Sequence, residues 1–81
     1  MEKPTSRQLE FLSLIASGLD TYEVAKVAEV SQNTVRNTIV AAKKKAEAPS
    51  TANLIAYAVV KGWIWPVDDG YPAEFAVIPE V

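Results

Sequence analysis

The chain contains no cysteine and no histidine. Their absence excludes disulfides, thiolate chemistry, zinc fingers and any histidine-based catalytic triad. Long apolar runs are also missing: the longest, residues 54–60, falls far below the ~20 residues of a membrane span. Glu10 directly precedes the early apolar pair Phe11-Leu12, unlike a cleavable signal, so a cytoplasmic protein without a membrane partner is expected. The few glycines form no phosphate-binding loop, the carboxylates are scattered, and Ser13, Ser17 and Ser31 have no plausible base. An enzyme is therefore not expected, nor is a metal or other cofactor. No internal repeat or low-complexity segment is visible.

Eighty-one residues leave room for one domain whose core supplies marginal stability unless a partner or a packed tail adds to it. The net charge of −2 argues at first against a polyanionic partner. Its distribution argues otherwise. Residues 65–81 hold four anions (Asp68, Asp69, Glu74, Glu80) and no cation. Residues 4–64 hold seven cations (Arg7, Lys26, Arg36, Lys43, Lys44, Lys45, Lys61) against five anions (Glu10, Asp20, Glu23, Glu29, Glu47). A mildly basic body thus carries an acidic tail. Because screening limits the field to about 10 Å at moderate salt, a basic face can act beneath an acidic total.

The chain is organised around residues 24–45, VAKVAEVSQNTVRNTIVAAKKK. Two segments of helical periodicity flank a three-residue break, Glu29-Val30-Ser31, and the second segment carries four cations and no carboxylate. Val24, Ala25 and Ala28 face inward from the first, Val30 plugs the corner, and Val35, Ile39, Ala42 and Ala46 recur along the second at intervals of four, three and four. Ser31 is a good N-cap for a helix over about 32–46. The outward stripe of that helix reads Asn33, Arg36, Asn37, Val40, Lys43 and Lys44. Amide and guanidinium groups near the N-terminus, followed by ammonium groups, are what insertion into a DNA major groove requires. The pattern is that of a helix-turn-helix meeting a polyanion.

Flanking signals complete a four-helix reading. Thr5 and Gln8 have capping-box spacing, and Leu9, Leu12, Ile15 and Ala16, broadened by Phe11 and Leu14, give a first helix that Gly18 ends. Ser6 and Arg7 at its start either touch a phosphate or sit in solvent. Asp20 and Glu23 repeat the capping box and open a second helix to about Ala28. Tyr22 on its first turn either bonds a phosphate through its hydroxyl or lies against a neighbouring helix. After a loop at residues 48–51, residues 52–61 form a fourth helix closed by Gly62, apolar around much of its circumference and so in need of a second cover. A second copy of the protein or the chain's own tail could supply it. Three prolines and the turn signal Asp68-Asp69-Gly70 rule out a long helix in the tail. There Phe75-Ala76-Val77-Ile78 reads as a short strand, paired within a hairpin or across a dimer axis.

With four helices in hand, residues 4–64 resemble the DNA-binding domain of LuxR/GerE-type bacterial transcription regulators. The likeness rests on residues 4–18 (PTSRQLEFLSLIASG), Glu23-Val24-Ala25, Val30-Ser31-Gln32-Asn33-Thr34-Val35-Arg36-Asn37, and residues 58–64 (AVVKGWI). It covers about three quarters of the chain and implies an all-α, four-helix fold with an extended tail. It further implies that the third helix enters the major groove, with Arg36, Asn37 and Val40, beside Asn33, as base contacts. Thr34, Lys43 and Lys44 would then lie along the phosphate backbone, with Ser31, Arg7 and Tyr22 as further phosphate candidates. The fourth helix is similar to the one these regulators use to dimerise, in keeping with the surplus apolar surface at Ala56, Tyr57, Val59 and Val60. This chain departs from the family pattern at several positions. Glu29 stands where glycine is usual, so a Cβ works against the usual turn angle. Thr38 stands where histidine is usual, and Ala42 and Ala46 replace larger aliphatics, leaving a gap that Trp63 or Trp65 is expected to fill.

The expected organisation is a helix-turn-helix domain over residues 1–64, with its dimerisation helix at 50–62, followed by an acidic and apolar extension at 65–81. Such a module would stand alone, with no receiver or ligand-binding domain. The expected function is a sequence-specific, dimeric regulator that binds double-stranded DNA. The competing expectation is a protein-interaction module that has lost DNA binding and acts on another regulator or on RNA polymerase through its last helix and tail.

Overall fold

The computed structural model describes residues 2–77. Among them the chain forms α1 (Ser6–Ala16), α2 (Thr21–Ala28), α3 (Gln32–Ala46), α4 (Thr51–Val60), β1 (Ile64–Pro66) and β2 (Phe75–Val77). The four helices begin where side chains can satisfy the free N–H groups of a first turn. Thr5 Oγ1 accepts from Gln8 N–H at 3.2 Å while Gln8 Oε1 accepts from Thr5 N–H at 2.9 Å. Asp20 and Glu23 exchange the same pair of bonds at 2.8 and 3.1 Å. Ser31 caps α3 and Ser50 caps α4, each accepting an N–H at 3.0 Å.

The helix ends share one device. Leu19, Val30, Ala48 and Trp63 each return an N–H to the carbonyl five residues earlier, and the residue before each sits at positive φ. This is the Schellman arrangement, in which the residue after the left-handed position turns back onto the helix it has left. All four returning side chains pack against the core. Two of the left-handed positions are Gly18 and Gly62, and the other two are Glu29 (φ 57) and Glu47 (φ 56). Glu29 therefore takes up the left-handed conformation of the turn despite its Cβ.

The core draws on every helix and on β1: Leu9, Phe11 and Leu12 from α1, Val24 and Ala25 from α2, Val35, Ile39, Ala42 and Ala46 from α3, Leu54 and Ala58 from α4, and Ile64. The periodicity of α3 is thus the one its sequence announces. The N-terminal segment adds a tie, since Glu2 N–H donates to the Lys45 carbonyl at 3.0 Å. No helix among the described residues is long and apolar enough to cross a membrane.

The tail makes an antiparallel hairpin in which Ile64 opposes Val77, Trp65 opposes Ala76 and Pro66 opposes Phe75. The expected strand is therefore paired within its own chain; Ile78, the last residue expected in it, lies outside the described residues. Beyond Pro66, Val67 N–H donates to the Glu74 carbonyl at 2.8 Å. This register points the backbone groups of Pro66 and Phe75 away from the ladder. Pro66 has no N–H to offer on its side. On the other side Ser17 Oγ accepts from Phe75 N–H at 2.8 Å, while its proton faces the Ser13 carbonyl at 2.8 Å and the Phe75 carbonyl at 3.3 Å. One hydroxyl at the end of α1 thus anchors β2, and Phe75 and Val77 turn their half-buried side chains inward.

The structure corrects the expected role of Trp65. Trp65 is 58% exposed on the outer face of the hairpin, and the fully buried residue of this segment is Ile64. Trp63 is half-buried and meets the Tyr57 ring edge-on, with centroids 5.6 Å apart. Trp63 packs against the core cluster that contains Ala42 and Ala46, whereas Trp65 does not fill the space that small residues leave under α3. Beside Ala46 a hollow of about 100 Å³ persists, bounded in part by Ala48, Leu54 and Tyr57. The reason is steric: a strand alternates its side chains, and with Ile64 inward Trp65 must point out.

Two substitutions test these junctions by urea unfolding. Glu29→Gly relieves a left-handed non-glycine residue at some cost in unfolded-chain entropy, for an expected net gain of about 0.5–1 kcal/mol. Ser17→Ala leaves the Phe75 N–H without its acceptor, for an expected loss of about 1–2 kcal/mol together with faster hydrogen exchange at that amide.

Candidate nucleic-acid interface

α3 is buried along one stripe and open along the other. Asn33, Thr34, Arg36, Asn37, Val40 and Lys44 are all exposed, and Lys43 is half-buried. Arg36 is not a loose cation. Its Nη2 donates to Gln32 Oε1 at 2.8 Å, one turn earlier, which restrains the guanidinium along the helix. Gln32 is a residue that the sequence reading passed over; its spacing of four from Arg36 was the available signal. At the start of the helix the Ser31 and Thr34 hydroxyls lie 2.9 Å apart, and Thr38 Oγ1 donates to the Thr34 carbonyl at 2.7 Å. Thr38 therefore serves its own helix.

Electrostatics leave the exposed stripe positive. Among the described residues no carboxylate forms an ion pair with Arg36, Lys43 or Lys44. Lys45, by contrast, reaches Glu2 at 3.9 Å. The α3 terminus also favours its lysines, since cations stabilise the carbonyl end of a helix. Arg7 is partly committed: it lies 4.7 Å from the Phe11 ring centroid and 3.6 Å from the Glu10 carboxylate. Tyr22 is exposed rather than laid against a neighbouring helix, with the Lys26 ammonium 5.4 Å from its ring centroid.

Depressions on opposite sides of α3 differ in chemistry. One, of about 400 Å³, lies between α3 and the start of α1 and is lined by Thr5, Arg7, Gln8, Thr34, Asn37, Thr38 and Ala41. It is polar, with a single charged member. The other, of about 520 Å³, runs between α3 and the ends of the neighbouring helices. Its walls are Ile15, Leu19, Ile39 and Val40, with Arg36, Asp20, Thr21 and Thr51 as polar members. The fold thus joins Arg7 with Thr34 and Asn37 on one side of the helix and separates them from Arg36 and Val40 on the other.

The profile of the family described as bacterial regulatory proteins, luxR family, matches residues 4–58. The chain belongs to that family. No curated protein and no solved structure gives a significant match. The matched span of the LuxR-family domain includes α1, α2, the Glu29 turn and α3, and it ends within α4 at Ala58. Membership makes the chain a DNA-binding regulator in the general sense, and the mostly helical architecture agrees with it. On α4 of this LuxR-family domain, Ala56 and Tyr57 are exposed and Val60 is 80% exposed, whereas Val59 turns partly toward the core. The hairpin adds an outer surface that the family match does not include, where Trp65, Val67 and Tyr71 are exposed near Asp68, Asp69 and Glu74.

Proposed function

We propose that this LuxR-family domain is a sequence-specific regulator that inserts α3 into the major groove of double-stranded DNA and works as a dimer. The observation that carries the reading is the outward stripe of α3, where a restrained arginine, two asparagines and two lysines with no ion-pair partner among the described residues face away from the core, and the helix itself holds no carboxylate. Arg36 donates to guanine, and Asn37 and Asn33 meet neighbouring base edges. Val40 lies on the same stripe. Lys43 and Lys44 follow the backbone farther along, while Ser31, Thr34, Arg7 and Tyr22 approach phosphates beside the helix start. Ala56, Tyr57 and Val60 on α4, with Val59 beneath them, form the face on which a second copy packs. The acidic total is tolerated because its carboxylates at Asp68, Asp69 and Glu74 belong to the hairpin and not to α3.

A second reading rests on that hairpin. Its outer face holds exposed Trp65 and Val67 beside carboxylates, and Tyr71 is 96% exposed, a composition suited to a protein partner. On this reading the domain acts on another regulator or on polymerase without holding DNA itself.

Selection of bound sequences from a random duplex pool separates the two. An enriched inverted repeat is the expected result, and no enrichment at all would reject DNA recognition. Arg36→Ala, on an exposed position, is expected to leave the unfolding midpoint unchanged and to cost about 5- to 150-fold in affinity for the enriched site. Unchanged sequence preference would remove Arg36 from the interface. Replacing Lys43 and Lys44 together by alanine is expected to lower the slope of log affinity against log salt by about 2, equally on specific and random DNA.

A further inference from the structure

We infer that Val40 reads the 5-methyl group of a thymine lying within two base pairs of the guanine read by Arg36. The inference rests on α3 being the helix in the major groove and adds the chemistry that one of its positions recognises.

Val40 is a half-exposed aliphatic on a stripe whose other members are amides and cations. It has no group with which to bond a base edge. The one apolar feature that the major groove presents is the thymine methyl. Val40 is also not an isolated apolar point, because it forms one wall of the cleft shared with Ile15, Leu19 and Ile39, and Arg36 lines the same cleft. A phosphate is disfavoured there, since the Asp20 carboxylate lines the cleft as well and is committed to the α2 cap. The aliphatic walls suit an uncharged methyl group.

The spacing follows from helix geometry. Four residues separate Arg36 from Val40, about 6 Å along the axis at ~1.5 Å per residue. Base pairs are stacked about 3.4 Å apart, so even with the helix aligned along the duplex the methyl lies no more than about two steps from the guanine. A β-branched side chain on a helix is held close to one rotamer, so Val40 presents a fixed shape at little entropic cost.

The test begins with the site enriched from a random duplex pool and the guanine in it whose replacement wild-type protein detects but Arg36→Ala does not. Each thymine within two base pairs of that guanine is then exchanged for deoxyuridine, which removes the methyl alone. Burial of one methyl supports an expected loss of about fourfold at one of these positions. Val40→Ala, which introduces the best helix former at an exposed site and so folds, is expected to bind both duplexes equally. The inference is overturned if no thymine is enriched there, if deoxyuridine changes nothing for the wild type, or if Val40→Ala still distinguishes the duplexes. Failure of any site to enrich, or of any guanine to depend on Arg36, would instead overturn the placement of α3.

Discussion

Everything that α3 presents to solvent depends on a single backbone conformation at Glu29. With that residue left-handed, its N–H and that of Val30 close the end of α2, Val30 drops toward the core, and Ser31 is positioned to start α3. Were residue 29 to relax to an ordinary right-handed or extended conformation, α2 would lengthen or the chain would run straight on. Val35 and Ile39 would then lose their place opposite Val24. The carboxylate side chain has no part in this; it is tolerated because the two backbone bonds and the burial of Val35, Ile39, Ala42 and Ala46 together outweigh a strain of about 1–2 kcal/mol. The same solution recurs at Glu47, so that α3 is bracketed by two left-handed glutamates.

Local signals were the legible ones. Capping pairs, apolar spacing in α3 and the glycines after α1 and α4 all act over a few residues, and each could be read directly. Pairings across long separations were not. Nothing near Ser17 announces that its hydroxyl meets Phe75, 58 residues away. Trp65 misled for a related reason: bulk suggests burial, yet strand alternation gave the interior to Ile64 and sent Trp65 outward. At the candidate interface, the exposed residues of α3 followed from its buried stripe, since one face determines the other. The hydrogen bond that restrains Arg36, and the division of the surface into a polar and an apolar depression, required the positions of α1 and α2.

Charge is partitioned in the same spirit as burial. Glu10 engages Arg7 and Glu2 engages Lys45, each at a margin of the α3 face, while Arg36, Lys43 and Lys44 keep their charge without a carboxylate partner among the described residues. The sum over the chain conceals this, because the hairpin contributes carboxylates that the helices do not. Unpaired positive charge and the surplus of negative charge thus sit on different elements among the described residues of one small molecule.

The two borders of the hairpin carry one more consequence. Pro66 removes a donor from one border, and the Ser17 hydroxyl occupies the other at Phe75. An exposed ribbon with aromatic residues would otherwise be a template onto which further chains could add, one strand at a time. Here each border is interrupted at one position, which makes the ribbon a poorer template for strand addition even though Trp65 and Tyr71 remain in contact with water.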